Sequence, residues 1–204
     1  MRGAHEVISM KTCLTIAGSD CSGGAGIQAD LKTFSALGTY GMSAIVSVVA
    51  ENTCTVTSIH EVPCDIISDQ IDCVFQDIRP DAVKVGMLPT SDIMHTVVDK
   101  LRFYAPEHIV VDPVMVAKNG AALMYGEARA TNVPEAEVIL DRKIETFPEM
   151  EQAAQDIVAL GCASVLVKGG HRLSGDGCAR DVLCAAGTCH EFSSPRIETP
   201  NTHG

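Results

Sequence analysis

No stretch of this sequence is apolar for long enough to span a bilayer. The first ten residues, MRGAHEVISM, also lack the hydrophobic core of a signal peptide. Basic residues are few, because fifteen lysines and arginines stand against 26 aspartates and glutamates, a formal charge of −11. Such an acidic balance argues against a surface for the phosphate backbone of DNA or RNA. We therefore expect a cytoplasmic protein that binds no membrane and no nucleic acid, and whose partner is a small molecule.

The sequence also lacks any CxxC pair, and its nine cysteines are odd in number and scattered. That pattern predicts neither a cysteine metal cluster nor a disulfide framework. Several cysteines lie in apolar segments, as Cys13 does in TCLTIAG, where a reduced cysteine acts as a small core residue. We expect the cysteines to be reduced, as in the cytosol.

Short strand-forming segments alternate with helical patterns along the chain. Strands are predicted at TCLTIAG, SAIVSVVA, AVKVG, HIVVD and SVLVK, and a hairpin at DVLCAAGTCHEFSS. Helices are predicted over residues 25–37, 65–78, 91–104 and 150–160. This alternation is typical of an α/β fold with helices on both faces of a mostly parallel sheet. No repeat or linker divides residues 1–204, so we predict a single domain.

A glycine-rich turn follows the first strand, in the segment AGSDCSGGAGIQADLKTF. It has neither the GK[ST] of a Walker A motif nor the spacing GxGxxG, so those two nucleotide sites are not supported. Small residues there would let backbone amides approach a ligand at the start of a helix. Asp30, one turn into that helix, could accept a hydrogen bond from a substrate hydroxyl. The alternatives are a tight βα turn and a solvated aspartate.

Other polar residues lie where predicted strands end, the edge at which open α/β sheets bind ligands. Glu51 follows SAIVSVVA, Asp112 ends HIVVD, and Lys168 ends SVLVK. A carboxylate such as that of Asp112 suits Mg²⁺ beside nucleotide phosphates, and a lysine suits a phosphate. Asn132 and Glu135, spaced NxxE, could face the same hydrated metal. Alternatively, Asn132 caps a helix that has a proline in its first turn.

Six segments occur in a fixed order between Leu14 and Gly204. They are GSDCSGGAGIQADLKTFSALGTYGMSAIVSVVAENT, VKVGML, VVDPVMVAKNG, NVPEAE, VKGGH and TPNTHG. Together they resemble the motifs of the hydroxymethylpyrimidine and phosphomethylpyrimidine kinases of thiamin biosynthesis. The resemblance implies a ribokinase-like three-layer fold, a homodimer, and transfer of the γ-phosphoryl group of ATP with Mg²⁺.

The same resemblance implies roles for individual residues. Those expected around the aminopyrimidine and its hydroxymethyl group are Gly18, Asp30, Glu51 and the backbone near Val114. Those expected to face ATP phosphates are Asp112, Asn132, Glu135, Lys168, Asn201 and Thr202. Within this second group, Asp112 and Glu135 would hold Mg²⁺, through water. An ionised glutamate at position 51 can only accept hydrogen bonds, which suits the exocyclic amine of the pyrimidine.

Two departures from the family pattern affect these expectations. A helix and the strand that leads into NVPEAE are missing between about Ala130 and Thr131, and the TGC that follows NTHG in the family is not in the sequence. A missing strand would leave a gap in the sheet. Two alternatives to the pyrimidine kinase follow. One is a pyridoxal or pyridoxine kinase, whose DPVM and KGGH elements are similar, and the other is a non-catalytic pyrimidine-binding module.

Overall fold

Strands and helices follow one another from Thr12 onwards in the computed structural model, which describes residues 10–52, 54–112, 128–170 and 177–197. The elements in chain order are β1 Thr12–Gly18, α1 Gly26–Ala36, β2 Tyr40–Glu51, β3 Val56–Glu61, α2 Cys64–Asp77, β4 Ala82–Val85, α3 Ser91–Tyr104, β5 His108–Val111, β6 Ala128–Asn132, α4 Val133–Leu140, α5 Phe147–Ala159, β7 Ser164–Lys168, β8 Cys178–Ala185 and β9 Thr188–Pro195. No helix in these described ranges is long and apolar enough to cross a membrane.

All nine strands of the described ranges form one sheet in the order β3-β2-β1-β4-β5-β6-β7-β8-β9. The six strands from β2 to β7 in that order pair in parallel. Strand β3 pairs antiparallel at one edge, and the β8–β9 hairpin extends the other edge antiparallel. The predicted mostly parallel α/β sheet is therefore confirmed.

Helices cover both faces of this sheet because successive residues of a strand point to opposite sides. Leu14 and Ile16 of β1 are fully buried in one cluster with residues of α2 and α3. Thr15, which lies between them, is also fully buried but bonds to Asp30 of α1 on the opposite face. A second cluster joins α4 and α5 to β7 and β8, around Met150 and Val165.

Strand β6 fills the position where the sequence indicated a missing strand. Its residues pair with β5, as in Val110↔Ala128, and with β7, as in Thr131↔Val167. The sheet therefore has no gap at this position among the described residues. The segment ARATN contains no large aliphatic or aromatic residue, so it gives no strand signal. The absence of further family residues near position 130 stays a prediction.

The cysteine expectation is wrong at one pair. Cys184 of β8 and Cys189 of β9 are directly opposite each other across the hairpin, and their sulfurs form a disulfide. The two residues are five positions apart, on either side of a turn. Counting cysteines and looking for CxxC spacing could not reveal a pair that only the hairpin register brings together.

Candidate active site

Four charged side chains of alternating sign lie at the carboxyl edge of the sheet: Asp30, Lys84, Asp112 and Lys168. We call them the charged array. Lys84 Nζ lies 3.1 Å from both carboxylate oxygens of Asp30. It also lies 3.9 Å from Asp112 Oδ2, and Lys168 Nζ lies 3.4 Å from Asp112 Oδ1. The array joins α1, β4, the end of β5 and β7, so the fold brings together three of the residues that the sequence singled out.

Asp30 is held from two sides. The hydroxyl of Thr15, a fully buried residue of β1, donates to Asp30 Oδ2 at 2.6 Å. Lys84 donates to the same oxygen from β4. The side chain of Asp30 is only 15% exposed, so it is not the solvated helix aspartate that the sequence left open. An ionised carboxylate has about four acceptor sites, so Asp30 keeps acceptor capacity for a ligand.

Lys84 is the member of the array that the sequence analysis missed. It lies in the strand Ala82–Val85, between Val83 and Val85, which are both buried. A charged residue inside such a short apolar strand is uncommon unless it is paired. The pattern AVKV could therefore have indicated a paired lysine, because a lysine between two valines of a buried strand needs a carboxylate nearby.

The glycine-rich loop is organised by its own aspartate. Asp20 accepts hydrogen bonds from the backbone amides of Ser22 at 2.7 Å, Gly24 at 3.0 Å and Ala25 at 2.7 Å. Burial acts to raise the pKa of Asp20, but hydrogen bonds from Ser22, Ala25 and Gly24 outweigh it and leave that pKa below its ordinary value. These three amides are already bonded within the loop. The expectation that small residues offer them to a ligand is therefore wrong for these positions.

Gly18 ends β1 at a point where there is no room for a side chain. A Cβ there would lie 2.7 Å from Ser47 Oγ and 2.8 Å from the methyl carbon of Met87. The close approach of β2 and of the segment after β4 accounts for the glycine at this position. A contact between Gly18 and a substrate stays a prediction.

Glu51 ends β2 and is tied to the glycine-rich loop. Cys21 Sγ donates to the Glu51 carbonyl oxygen at 3.0 Å and accepts from the Glu51 amide at 3.3 Å. Burial, and next the negative charge of Asp20, raise the pKa of the Glu51 carboxyl above its ordinary value. The glutamate thus lies at the same edge as the loop, in surroundings that disfavour its ionised form.

Asn132 and Glu135 form a capping box at the start of α4. Asn132 Oδ1 accepts from the Glu135 amide at 2.9 Å, and Glu135 Oε2 accepts from the Asn132 amide at 2.9 Å. The helix-cap interpretation of the NxxE spacing is therefore confirmed. Asn132 also pairs with Lys168 in the register of β6 and β7, which places the cap beside the charged array.

Three predicted site residues, Val114, Asn201 and Thr202, lie outside the described residues. No cluster of three or more His, Cys, Asp or Glu side chains that could hold a metal occurs in the part of the chain that is described. What the edge offers a metal is a small number of carboxylate oxygens, chiefly those of Asp112. Oxygen ligands in that number suit Mg²⁺, which takes one or two carboxylates and completes its shell with phosphates and water.

Comparison with known proteins gives a family match over most of the chain. A family model described as phosphomethylpyrimidine kinase matches residues 20–204. The hydroxymethylpyrimidine/phosphomethylpyrimidine kinase of Bacillus subtilis is 41% identical, over 97% of this chain and 78% of that protein. The enzyme of the same name from Escherichia coli is 44% identical, over 94% of this chain and 77% of that protein. A bifunctional thiamine biosynthesis protein of Geobacter sulfurreducens is 44% identical over 94% of this chain and 41% of its own length.

Solved structures with a similar fold include two kinds of vitamin kinase. The phosphomethylpyrimidine kinase of Clostridium difficile superposes with a TM-score of 0.81 at 42% identity, over 91% of this chain and 85% of its own. A Bacillus subtilis pyridoxal kinase in complex with ADP gives a TM-score of 0.88 at 38% identity, over 96% of this chain and 79% of its own. A Staphylococcus aureus pyridoxal kinase in complex with AMP-PCP and pyridoxal gives a TM-score of 0.85 at 32% identity, over 94% of this chain and 74% of its own.

Proposed function

The chain belongs to the phosphomethylpyrimidine kinase family, and we propose that the charged array is the site of its phosphoryl transfer. It is a phosphotransferase of thiamin biosynthesis that acts on hydroxymethylpyrimidine and its monophosphate. Relatives of known structure bind ADP and the ATP analogue AMP-PCP, which supports ATP as the donor. With hydroxymethylpyrimidine, the substrate hydroxyl oxygen bonds to the γ-phosphorus, the bond from that phosphorus to the β–γ bridging oxygen breaks, and the hydroxyl proton is released. With the monophosphate, a phosphate oxygen of the substrate forms the new bond to the γ-phosphorus and the same bridging bond breaks.

The observation that carries the proposal is the alternation of charge at the carboxyl edge. Phosphoryl transfer depends mainly on positioning and on stabilising charge on the transferred group. Lys168 supplies a cation and Asp112 a carboxylate 3.4 Å apart, both partly exposed and therefore open to a ligand. This edge is also where open parallel sheets bind their ligands.

On the acceptor side, we assign Asp30, Glu51, Gly18 and the backbone near Val114 to the pyrimidine alcohol. Glu51 accepts a hydrogen bond from the exocyclic amine when it is ionised. Asp30, fixed by Thr15 and Lys84, has acceptor capacity left for the hydroxyl that receives the phosphoryl group. Gly18 has no room for a side chain beside Ser47 and Met87, so it offers only its backbone to a ligand.

On the donor side, we assign Lys168 to the phosphate oxygens of ATP and Asp112 to Mg²⁺. Glu135 would hold the same metal through water. Mg²⁺, when bound, neutralises charge on the phosphates. Asn132 positions Glu135 by capping α4, and the resemblance adds Asn201 and Thr202 to this side of the site.

A second candidate activity is the phosphorylation of pyridoxal. The observation that favours it is structural, since the pyridoxal kinase of Bacillus subtilis gives a TM-score of 0.88 and the phosphomethylpyrimidine kinase of Clostridium difficile 0.81. Glu51 argues for the pyrimidine, because pyridoxal lacks the exocyclic amine that an ionised glutamate would bind.

The test compares ATP-dependent phosphorylation of hydroxymethylpyrimidine and of pyridoxal by the full chain. We expect kcat/KM for the pyrimidine to exceed that for pyridoxal by at least about tenfold, the size of one good polar contact. The opposite preference would favour a pyridoxal kinase. Pyrimidine binding without transfer would support a non-catalytic module and overturn the proposal.

The homodimer and the cytoplasmic location belong to the same proposal. Half-exposed aliphatic side chains on one face of the edge strand β3 give the dimer an apolar surface to cover: Val56 and Ile59. The excess of acidic residues and the small-molecule substrate are in keeping with an enzyme that acts in solution.

A further inference from the structure

Lys84 contacts both carboxylates of the charged array, one on each side of β4. Asp30 lies on α1 above the neighbouring β1, and Asp112 follows the neighbouring β5. The first is assigned above to the acceptor alcohol and the second to the nucleotide. We propose that Lys84 is a positioning residue that holds the acceptor side and the donor side of the site in register. This inference rests on the proposed function.

The distances show that Lys84 lies closer to Asp30 than to Asp112. Lys84 Nζ is 3.1 Å from each oxygen of Asp30, which is hydrogen-bonding distance, and 3.9 Å from the nearer oxygen of Asp112. The ammonium is therefore anchored on Asp30, and its remaining attraction acts on Asp112. The three side chains are 15–27% exposed, so solvent and salt screen these attractions less than at an open surface.

The absence of a side chain at Gly86 leaves room for this ammonium. A Cβ at Gly86 would come within 3.1 Å of Lys84 Nζ and 2.9 Å of the Ala17 methyl group. Glycine at that position therefore keeps open the space that the lysine crosses. Asp30 is fixed independently by the Thr15 hydroxyl at 2.6 Å. Two residues next to strand pairings thus support the contact: Gly86 leaves space for the lysine, and Thr15 of β1 holds its main partner.

Stability alone is a weak reason for this arrangement. A partly buried ion pair must overcome the cost of removing two charges from water, and replacing it with packed apolar residues is often neutral or stabilising. Lys84 lies in a strand whose other residues are alanine and valine, so an aliphatic side chain would suit the strand equally well. What the lysine adds is a fixed relation between two carboxylates on different elements.

The chain provides a matched control in Lys100. Its side chain is 24% exposed, against 22% for Lys84, and it pairs with Asp72 at 2.6 Å. Asp72 also accepts from the Tyr104 hydroxyl at 2.8 Å, within the α2–α3 surface. This pair has the same charges and a similar exposure, but it joins two helices outside the proposed site.

The experiment compares Lys84→Met, Lys84→Arg and the control Lys100→Met in the full chain. Calorimetric titration with Mg·ADP counts nucleotide-binding sites, so that kcat is expressed per folded site. We expect Lys84→Met to lower kcat about 100-fold, the cost of misplacing reacting groups by about an ångström, with both KM values changed less than about fivefold. The kcat of Lys84→Arg should be at least about tenfold higher than that of Lys84→Met, and the kcat of Lys100→Met should stay within about threefold of the wild-type value.

The inference is overturned if kcat of Lys84→Met stays within about threefold of the wild type, or if arginine recovers nothing. If Lys84→Met does not fold, the double variant Asp30→Asn with Lys84→Met removes the unpaired charge. Its kcat should then lie at least about tenfold below that of Asp30→Asn alone, and equal values overturn the inference. A wild-type chain that transfers no phosphoryl group overturns the proposed function as well, so the two failures are distinguishable.

Discussion

At the scale of single residues, the environment of the Glu51 carboxyl acts directly on its chemistry. Burial and the nearby negative charge of Asp20 raise its pKa, and its backbone is tied to Cys21. Its ionised form, which can only accept hydrogen bonds, is therefore less favoured here than in an ordinary exposed glutamate. A substrate amine that donates to Glu51 offsets part of that cost.

Replacing Glu51 with glutamine tests this environment through stability. A carboxyl whose folded pKa is raised binds protons more tightly in the folded state, so it lowers stability once the pH exceeds its ordinary pKa of 4.5. We therefore expect Glu51→Gln to raise the unfolding temperature at pH 7, and we expect this gain to disappear below pH 4.5. Thermal unfolding at a series of pH values measures both. A gain that is equal at pH 4 and pH 7 would contradict the assigned cause.

At the scale of elements, two helices start with the same N-terminal motif, a capping box. Helix α5 begins with a capping box of Thr146 and Glu149, just as α4 begins with Asn132 and Glu135, and each has a proline in its first turn. Only the α4 cap adjoins the charged array, through the pairing of Asn132 with Lys168. Of these two capping boxes, one therefore lies in the proposed site and the other outside it.

Alanine substitution at the two caps separates stability from function. Asn132→Ala and Thr146→Ala should each lower the free energy of unfolding by about 1 kcal/mol, the usual cost of losing a cap side chain. If Glu135 faces the nucleotide, only Asn132→Ala should also raise the KM for ATP, by about fivefold or more. Urea unfolding and steady-state kinetics provide the two measurements. Equal kinetic effects of the two substitutions would restrict Asn132 and Glu135 to capping.

Elements with a clear hydrophobic period were predictable from the sequence, and those without one were not. Helix α3 was predicted over residues 91–104 and spans Ser91–Tyr104. Strand β3 was missed because all its residues are exposed, and β6 because it contains only small and polar residues. In both cases pairing with a neighbouring strand stabilises the element, and pairing partners are not visible in a local pattern.

The same limit applied to the site. Glu51, Asp112 and Lys168 could be proposed from the sequence because each lies at or just after the end of a recognisable strand, and the end of a parallel strand marks the ligand edge. Lys84 was missed because its partners are 54 and 28 residues away, so its role depends on the order of β1, β4 and β5 in the sheet. The internal bonds of Asp20 were likewise invisible, since loop geometry decides which amides remain available.

At the scale of the whole molecule, the sheet order explains why charged groups meet at this edge. Strands β1, β4 and β5 are neighbours, and β6 alone separates β5 from β7. Their parallel direction brings the ends of β4, β5 and β7, and the helix after β1, to one side. The charged array is therefore a product of the topology, because its first and last residues, Asp30 and Lys168, are more than 130 positions apart in the sequence.

The central claim is that this edge carries out phosphoryl transfer, and the most direct measurement is kcat/KM for hydroxymethylpyrimidine in Asp112→Asn. Asp72→Asn is the matched control, because Asp72 is also a partly exposed aspartate paired with a lysine, but outside the array. We predict a loss of at least about 100-fold for Asp112→Asn and less than about threefold for Asp72→Asn. An Asp112→Asn enzyme as active as the Asp72→Asn control would contradict the account.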